Sequence, residues 1–228
     1  MRTKELASDA LSSEHQPRWT RRKEARPAEL LAAALDLFVA RGYAGTRLDD
    51  VAAQAGVSKG TLYLYYANKE ELLKAVVREN IVPVVADSQK LAAEYSGDSA
   101  TLLRVLVFGW WERFVNTKLS GISKLIVSES GNFPELARFY HDEVIVRIQA
   151  LMQGLLQRGI ERGEFRAVDP VQTVNVLFAP MMMLSLWRHS FGQCCKTTLK
   201  PQAYLENYVD LILSSLTHHN YESDYGKK

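Results

Sequence analysis

Six residues within one short stretch carry the chemistry that sets this chain apart: Ser58, Lys59, Gly60, Thr61, Tyr63 and Tyr65. They bring hydroxyls, an ammonium and a glycine, with no acid among them. Such a set donates hydrogen bonds to anionic or base-edge acceptors. Ser58 reads as an N-cap, and in the helix it opens only Leu62 and Tyr66 fall on an inward i, i+4 stripe. Lys59, Gly60, Thr61, Tyr63 and Tyr65 therefore face outward, as a head for reading DNA.

The elements that must hold this face in place are legible on both sides. Leu48, Val51, Ala52 and Ala55 follow the i, i+3, i+4, i+7 spacing of a preceding helix, which Gly56 ends. Asn68 caps a following helix with Glu70 and Glu71 in its first turn, where the helix dipole favours anions. Two short helices joined by a glycine-containing turn form a helix-turn-helix. Upstream, Pro27 suits a first helical position, Leu31, Ala34, Leu35 and Phe38 mark one apolar face, and Gly42 closes that helix. Thr46 and Asp49 give an S/T-x-x-D start signal for the helix at Leu48, with the free amides of its first turn pointing outward.

At 228 residues, 47% hydrophobic and 24% charged, the composition is that of a globular protein able to bury a substantial core. The net charge of +2 does not by itself argue nucleic-acid binding. Its placement does more: Arg18, Arg21, Arg22, Lys23 and Arg26 face only Glu24, as either a phosphate-neutralising arm or a solubilising tail. No apolar run approaches the ~18 residues of a membrane span. The start of the chain lacks an apolar leader, so a cytoplasmic location without membrane partners is expected. Cys194 and Cys195 are adjacent, which strains any disulfide between them, and a reduced pair is expected. His141, Asp142 and Glu143 point in different directions on a helix and cannot form a metal triad, so neither metal nor cofactor is expected.

The remaining pattern is helical throughout. A helix from Lys69 meets Pro83, where a kink is expected before the pattern resumes through Leu91 to Tyr95. Gly97-Asp98-Ser99 is a break. Helices follow over 100–117, 122–130, 134–162, 170–190 and 201–217, the last two opening on Pro170 and Pro201. With no strand alternation, the fold class is all-α with about nine helices. The division expected is a disordered basic extension over 1–23, a DNA-binding domain over 24–68, a helical ligand-binding and dimerisation domain over 69–217, and a flexible tail over 218–228.

The run Ala55-Gly56-Val57-Ser58-Lys59-Gly60-Thr61-Leu62-Tyr63 resembles the TetR/AcrR family of bacterial transcriptional regulators. So do Ala34-Leu35-Asp36-Leu37-Phe38, Arg41-Gly42-Tyr43, Thr46 and Asn68-Lys69-Glu70-Glu71-Leu72. The resemblance covers Arg26 to about Leu73 closely and the rest in architecture only. It implies a homodimer bound to a partly palindromic double-stranded operator and released by a small-molecule effector. By position, it implies phosphate contacts from Thr46, Ser58, Thr61, Tyr63, Tyr65 and Lys69, and base-edge contacts near Lys59 and Gly60. Arg47 is either a phosphate contact or a solvated side chain. Leu64 departs from the pattern, because a polar or aromatic residue is common there.

The C-terminal part is rich in aromatic and sulfur side chains, which suit either an adaptable apolar pocket or a helical core. Trp110, Phe114, Phe178 and Met182 are the expected pocket residues, for a hydrophobic or aromatic effector. Pro180 should bend its helix and free a carbonyl. His189 is expected to cap its helix. Tyr204, Leu205, Tyr208, Val209, Ile212, Leu213 and Leu216, with Val171, Val174 and Phe178, form an apolar band suited to a dimer interface of the last two helices. Two other readings fit the fold. An all-α enzyme would explain a pocket, but the chain shows no nucleophile–base set and no catalytic residue is expected. A protein-binding adaptor would leave the outward donors without a purpose.

Overall fold

Helix boundaries follow where the chain supplies caps. In the computed structural model, which describes residues 18–194 and 199–217, the Ser58 and Asn68 side chains accept the backbone N–H of Thr61 and Glu71 and open α3 (Lys59–Tyr65) and α4 (Lys69–Asn80). Asp98 and Asp169 do the same for α6 (Ser99–Trp110) and α10 (Pro170–His189). Proline opens α8 (Pro134–Tyr140), α10 and α11 (Pro201–Leu216), where a missing N–H breaks no intrahelical bond. Glycine kinks α1 (Arg18–Gly45) before its last turn and follows the end of α2 (Leu48–Gln54): Gly42 and Gly56 have φ of 75° and 67°, a region other residues enter at a cost.

Two boundaries correct the sequence reading. α1 begins at Arg18, with Pro27 inside it. The arginines, lysine, glutamate and alanine before Pro27 are good helix formers, and the turn forms despite the proline. Residues 18–23 of the extension expected over 1–23 are thus helical, while its residues 1–17 and the tail at 218–228 lie outside the described residues. The other correction concerns Thr46. The N-cap of α2 is Arg47, and no side chain caps that helix. Thr46 turns inward instead, its hydroxyl 2.7 Å from Gly42 O and 3.1 Å from Leu37 O.

The helix after Asn68 is interrupted where the proline requires. Pro83 cannot donate to the carbonyl four residues back, and the rod divides at Ile81 into α4 and α5 (Val82–Glu94). Two further rods contain a single wide π-helical turn: Trp111–Val115 extends α6, and His141–Ile145 joins α8 to α9 (Val146–Glu161). Counted as rods, α4–α5 and α8–α9 each being one, the described residues form the nine helices expected, and no strand occurs among them.

α1 lies on α4 and on α7 (Ser120–Glu129); α5 and α6 pack on α9, α11 on α6, and α10 on α7 and α9. The α1–α7 crossing is close, since a Cβ added at Gly121 would stand 2.7 Å from Val39 Cγ1. The core runs without a gap from Leu30, Phe38 and Leu62 to Leu156, Leu177 and Val209. Helix α10, with a mean hydropathy of 1.2, is long and apolar enough by composition alone to cross a membrane, contrary to the sequence reading. Here Val174, Leu177 and Leu184 bury its inner side against the other helices.

Candidate functional site

Leu62 is fully buried and Tyr66 half-buried, which pins α3 from one side as its stripe predicts. Ser58, Lys59, Gly60, Tyr63 and Tyr65 stand exposed on the other, with Thr61 partly so. Ser58 Oγ accepts the Thr61 amide at 3.1 Å and lies 2.8 Å from Thr61 Oγ1. Both hydroxyls therefore first serve to hold the first turn. Leu64 is 83% exposed, an apolar residue standing in water on the face meant for DNA.

Lys59 reaches back across the turn. Its Nζ lies 2.8 Å from Asp49 Oδ1 and 6.0 Å from the Tyr63 ring centroid. The Asp49 hydrogen bond and charge raise its pKa above the ordinary lysine value. Both partners are mostly in water, where such a pair contributes little and is readily exchanged. Asp49, expected as part of the start signal of α2, thus also holds the Lys59 ammonium. At Gly60 an added Cβ would meet only Ser58 Oγ, at 3.8 Å. The fold itself tolerates a side chain there, so any requirement for glycine comes from what α3 approaches.

Two expected phosphate contacts point elsewhere. Thr46 is 1% exposed and its hydroxyl donates internally, so the side chain does not point outward. Lys69 Nζ donates to Tyr43 O at 2.7 Å, Thr46 O at 3.1 Å and Ala44 O at 3.4 Å, and lies 4.5 Å from the Tyr43 ring centroid. Its three N–H bonds clamp the α1–α2 turn onto α4, and burial pulls its pKa below the ordinary lysine value. Arg47 is exposed and makes no ion pair among the described residues. The sequence reading did not place Arg26 on the site. With Glu29 it lines a polar groove beside Gly56, Ser58 and Thr61, and its only signal was its place in the basic run.

Behind the head, α5, α6, α8–α9 and α10 surround a cavity of about 80 Å³ that is partly open to solvent. Trp110, Phe114 and Phe178 line it as expected. Met182 does not; its neighbour Met181 does, because the inner stripe of α10 runs through Val174, Leu177, Met181 and Leu184. Phe114 and Val144, one from each π-helical turn, both face the cavity. Turns of this type occur often at functional sites. No charged side chain lines it, and the lining side chains that carry a hydrogen-bonding group are Ser88, Trp110 and Tyr140.

Sequence models of two known families match the chain: "Bacterial regulatory proteins, tetR family" over residues 30–76 and "Tetracyclin repressor-like, C-terminal domain" over 95–192. The chain belongs to the TetR family. Its members are transcriptional regulators rather than enzymes. Among curated relatives, the HTH-type transcriptional repressor KstR2 of Rhodococcus jostii is 27% identical over 197 residues, which are 85% of this chain and 92% of that protein. The fatty acid metabolism regulator protein of Bacillus subtilis is 26% identical over 146 residues, 63% of this chain and 74% of that one. In fold, the chain is similar to FadR of Bacillus subtilis in complex with stearoyl-CoA, with a TM-score of 0.71, 20% identity, and coverage of 82% and 98%.

In this TetR-family chain the apolar band expected at a dimer interface is largely used within the subunit. Val174 of α10 and Leu205, Tyr208, Val209 and Leu216 of α11 are buried, and Tyr204, Ile212, Leu213 and Phe178 are partly so. The apolar side chains left in water are Val171, Val176 and Met183 on α10 and Leu211 on α11, at 52%, 64%, 55% and 63% exposure. Pro180 frees the carbonyl four residues back, at Val176, and the phenols of α11 bond carbonyls near it: Tyr204 Oη donates to Pro180 O at 2.9 Å and Tyr208 Oη to Leu177 O at 2.7 Å. His189 does not cap its helix through its ring. The ring bonds Ser120 Oγ at 2.6 Å, and Lys124 Nζ caps the His189 carbonyl at 2.6 Å. Cys194 is exposed, its Sγ 3.4 Å from Phe191 O, and Cys195 lies outside the described residues.

Proposed function

We propose that the chain is a dimeric, ligand-released repressor that reads a palindromic operator with α3. The observation that carries this is the outward donor face of Ser58, Lys59, Gly60, Thr61, Tyr63 and Tyr65, in the same fold as an uncharged cavity. The head comprises residues 24–68, and residues 69–217 hold the effector and the partner subunit. Val176, Met183 and Leu211 are the apolar patch through which α10 and α11 would pair with a second copy. Such a protein acts in the cytoplasm, on the nucleoid.

The effector is apolar. Cavity residues on the α8–α9 rod run from Tyr140 to Met152. At 1.5 Å per residue that is a track of about 18 Å, enough for an extended aliphatic chain. The names of relatives concerned with fatty acids agree with an acyl chain. Paired readers hold their recognition helices about 34–36 Å apart. An effector that displaces α5 shifts α4 through the break at Ile81 and changes that separation. The test is a gel-shift titration against DNA flanking the gene, with and without a long-chain acyl thioester. A complex that weakens with salt and dissolves on adding the thioester is expected. Absence of any complex at low salt would favour the adaptor or enzyme reading.

A further inference from the structure

We infer that the Tyr140 hydroxyl, backed by Ser123 on α7 outside the cavity wall, is a polar recognition point of the cavity, placed to donate a hydrogen bond to an uncharged oxygen on an otherwise apolar effector. This rests on the reading of the cavity as the effector site. Tyr140 Oη and Ser123 Oγ lie 2.7 Å apart, on residues 6% and 5% exposed. The two hydroxyls carry two protons, and one hydrogen bond between them uses only one. Neither residue has another partner. One buried O–H therefore lacks an acceptor, a state that costs about 1–3 kcal/mol unless something else accepts it.

Neighbouring serines show that this is not how the fold usually treats a hydroxyl. On the same helix Ser120 bonds Val115 O and Ser128 bonds Leu125 O, while on α5 Ser88 bonds Val84 O. Ser123 bonds no carbonyl and is turned to Tyr140 alone.

The surroundings select the ligand class. Burial pushes the Tyr140 phenol up to about 12, so it stays a neutral donor at any physiological pH. With no cation on the cavity wall, a carboxylate at this point would be a buried, unpaired charge. A ketone, ester, amide or hydroxyl oxygen fits instead. Tyr140 begins the track along α8–α9, and the residues after it on that rod that line the cavity, Val144, Ile148, Leu151 and Met152, are apolar. The oxygen thus belongs near one end of the ligand. Ser123 sits on α7, the helix that crosses α1 closely at Gly121, so the hydroxyl pair stands one helix away from the head.

The test compares 2-undecanone with undecane, which differ at the oxygen, by tryptophan fluorescence titration of the full chain. Tyr140→Phe should weaken the ketone about fivefold, the equivalent of one neutral hydrogen bond, and leave the alkane unchanged. Ser123→Ala should keep or strengthen ketone binding, because the phenol is released to the ligand. Thermal melts of both variants report folding. Equal effects of Tyr140→Phe on the two probes would assign Tyr140 to packing and overturn the inference. Failure of both probes to bind the wild type would overturn the effector reading of the cavity as well.

Discussion

On α3 the donors stand in water, with Lys59 held only by an exposed carboxylate and Tyr63 46% accessible. In the cavity the walls are largely apolar and uncharged, with polar side-chain groups on Ser88, Trp110 and Tyr140. The difference separates two kinds of recognition. A polyanion meets α3 through charges that counterions compete for, so its binding falls with salt. A ligand in the cavity is held by burial and shape, which salt hardly touches. One chain can therefore have its two binding functions adjusted independently.

Three changes sharpen that contrast, the largest first. Leu62→Ala empties a fully buried position beneath the reading face and should cost about 2–5 kcal/mol in urea unfolding. The neighbouring Leu64→Ala, at an 83% exposed position, should stay within about 0.5 kcal/mol. Equal costs would mean that the orientation of α3 is wrong.

Lys69→Ala removes the donors that bind three carbonyls of the α1–α2 turn and should cost about 1–3 kcal/mol of stability. The salt slope of operator binding should stay the same. A slope reduced by about one unit would return Lys69 to the phosphate contacts.

The smallest effect concerns pH. Burial, Arg188 and Lys124 hold His189 below its ordinary pKa, so the folded state favours the neutral ring beside Ser120. Stability from this group is complete above the unfolded value of about 6.5 and is lost as pH falls through the lower folded value. Melting temperature should fall on acidification below about pH 6.5, and His189→Gln should flatten that dependence.

The reading head was legible because its determinants are local. Ser58 caps, Gly56 turns and Leu62 faces inward within a span of seven residues, and the structure repeats each assignment. Thr46 and Lys69 were misplaced because each is defined by a fold around it: the end of α1 supplies the acceptors of Thr46, and Lys69 finds carbonyls 23 to 26 residues away. Met182 and Met181 differ by one step around α10, which is too long an apolar run for periodicity to separate its faces. The width of the α11 band was visible, but its division between core and surface was not. That division depends on α6 and α10, which sequence spacing does not place. Arg26 carried a signal in its charge but none in its position beside Ser58 and Thr61.

Pro180 has a consequence for the order in which the chain becomes complete. A helix interrupted by proline lacks part of its own ladder, and here two phenols of α11 serve the carbonyls beside the interruption. During synthesis α10 emerges before those phenols exist, and its carbonyls at Leu177 and Pro180 gain these bonds only with the following helix. The α2–α3 unit and its supports on α1 and α4 emerge well before either. On a growing chain, the surface for DNA is thus assembled ahead of the α10–α11 pairing that, in the proposed dimer, holds its two copies at a fixed distance.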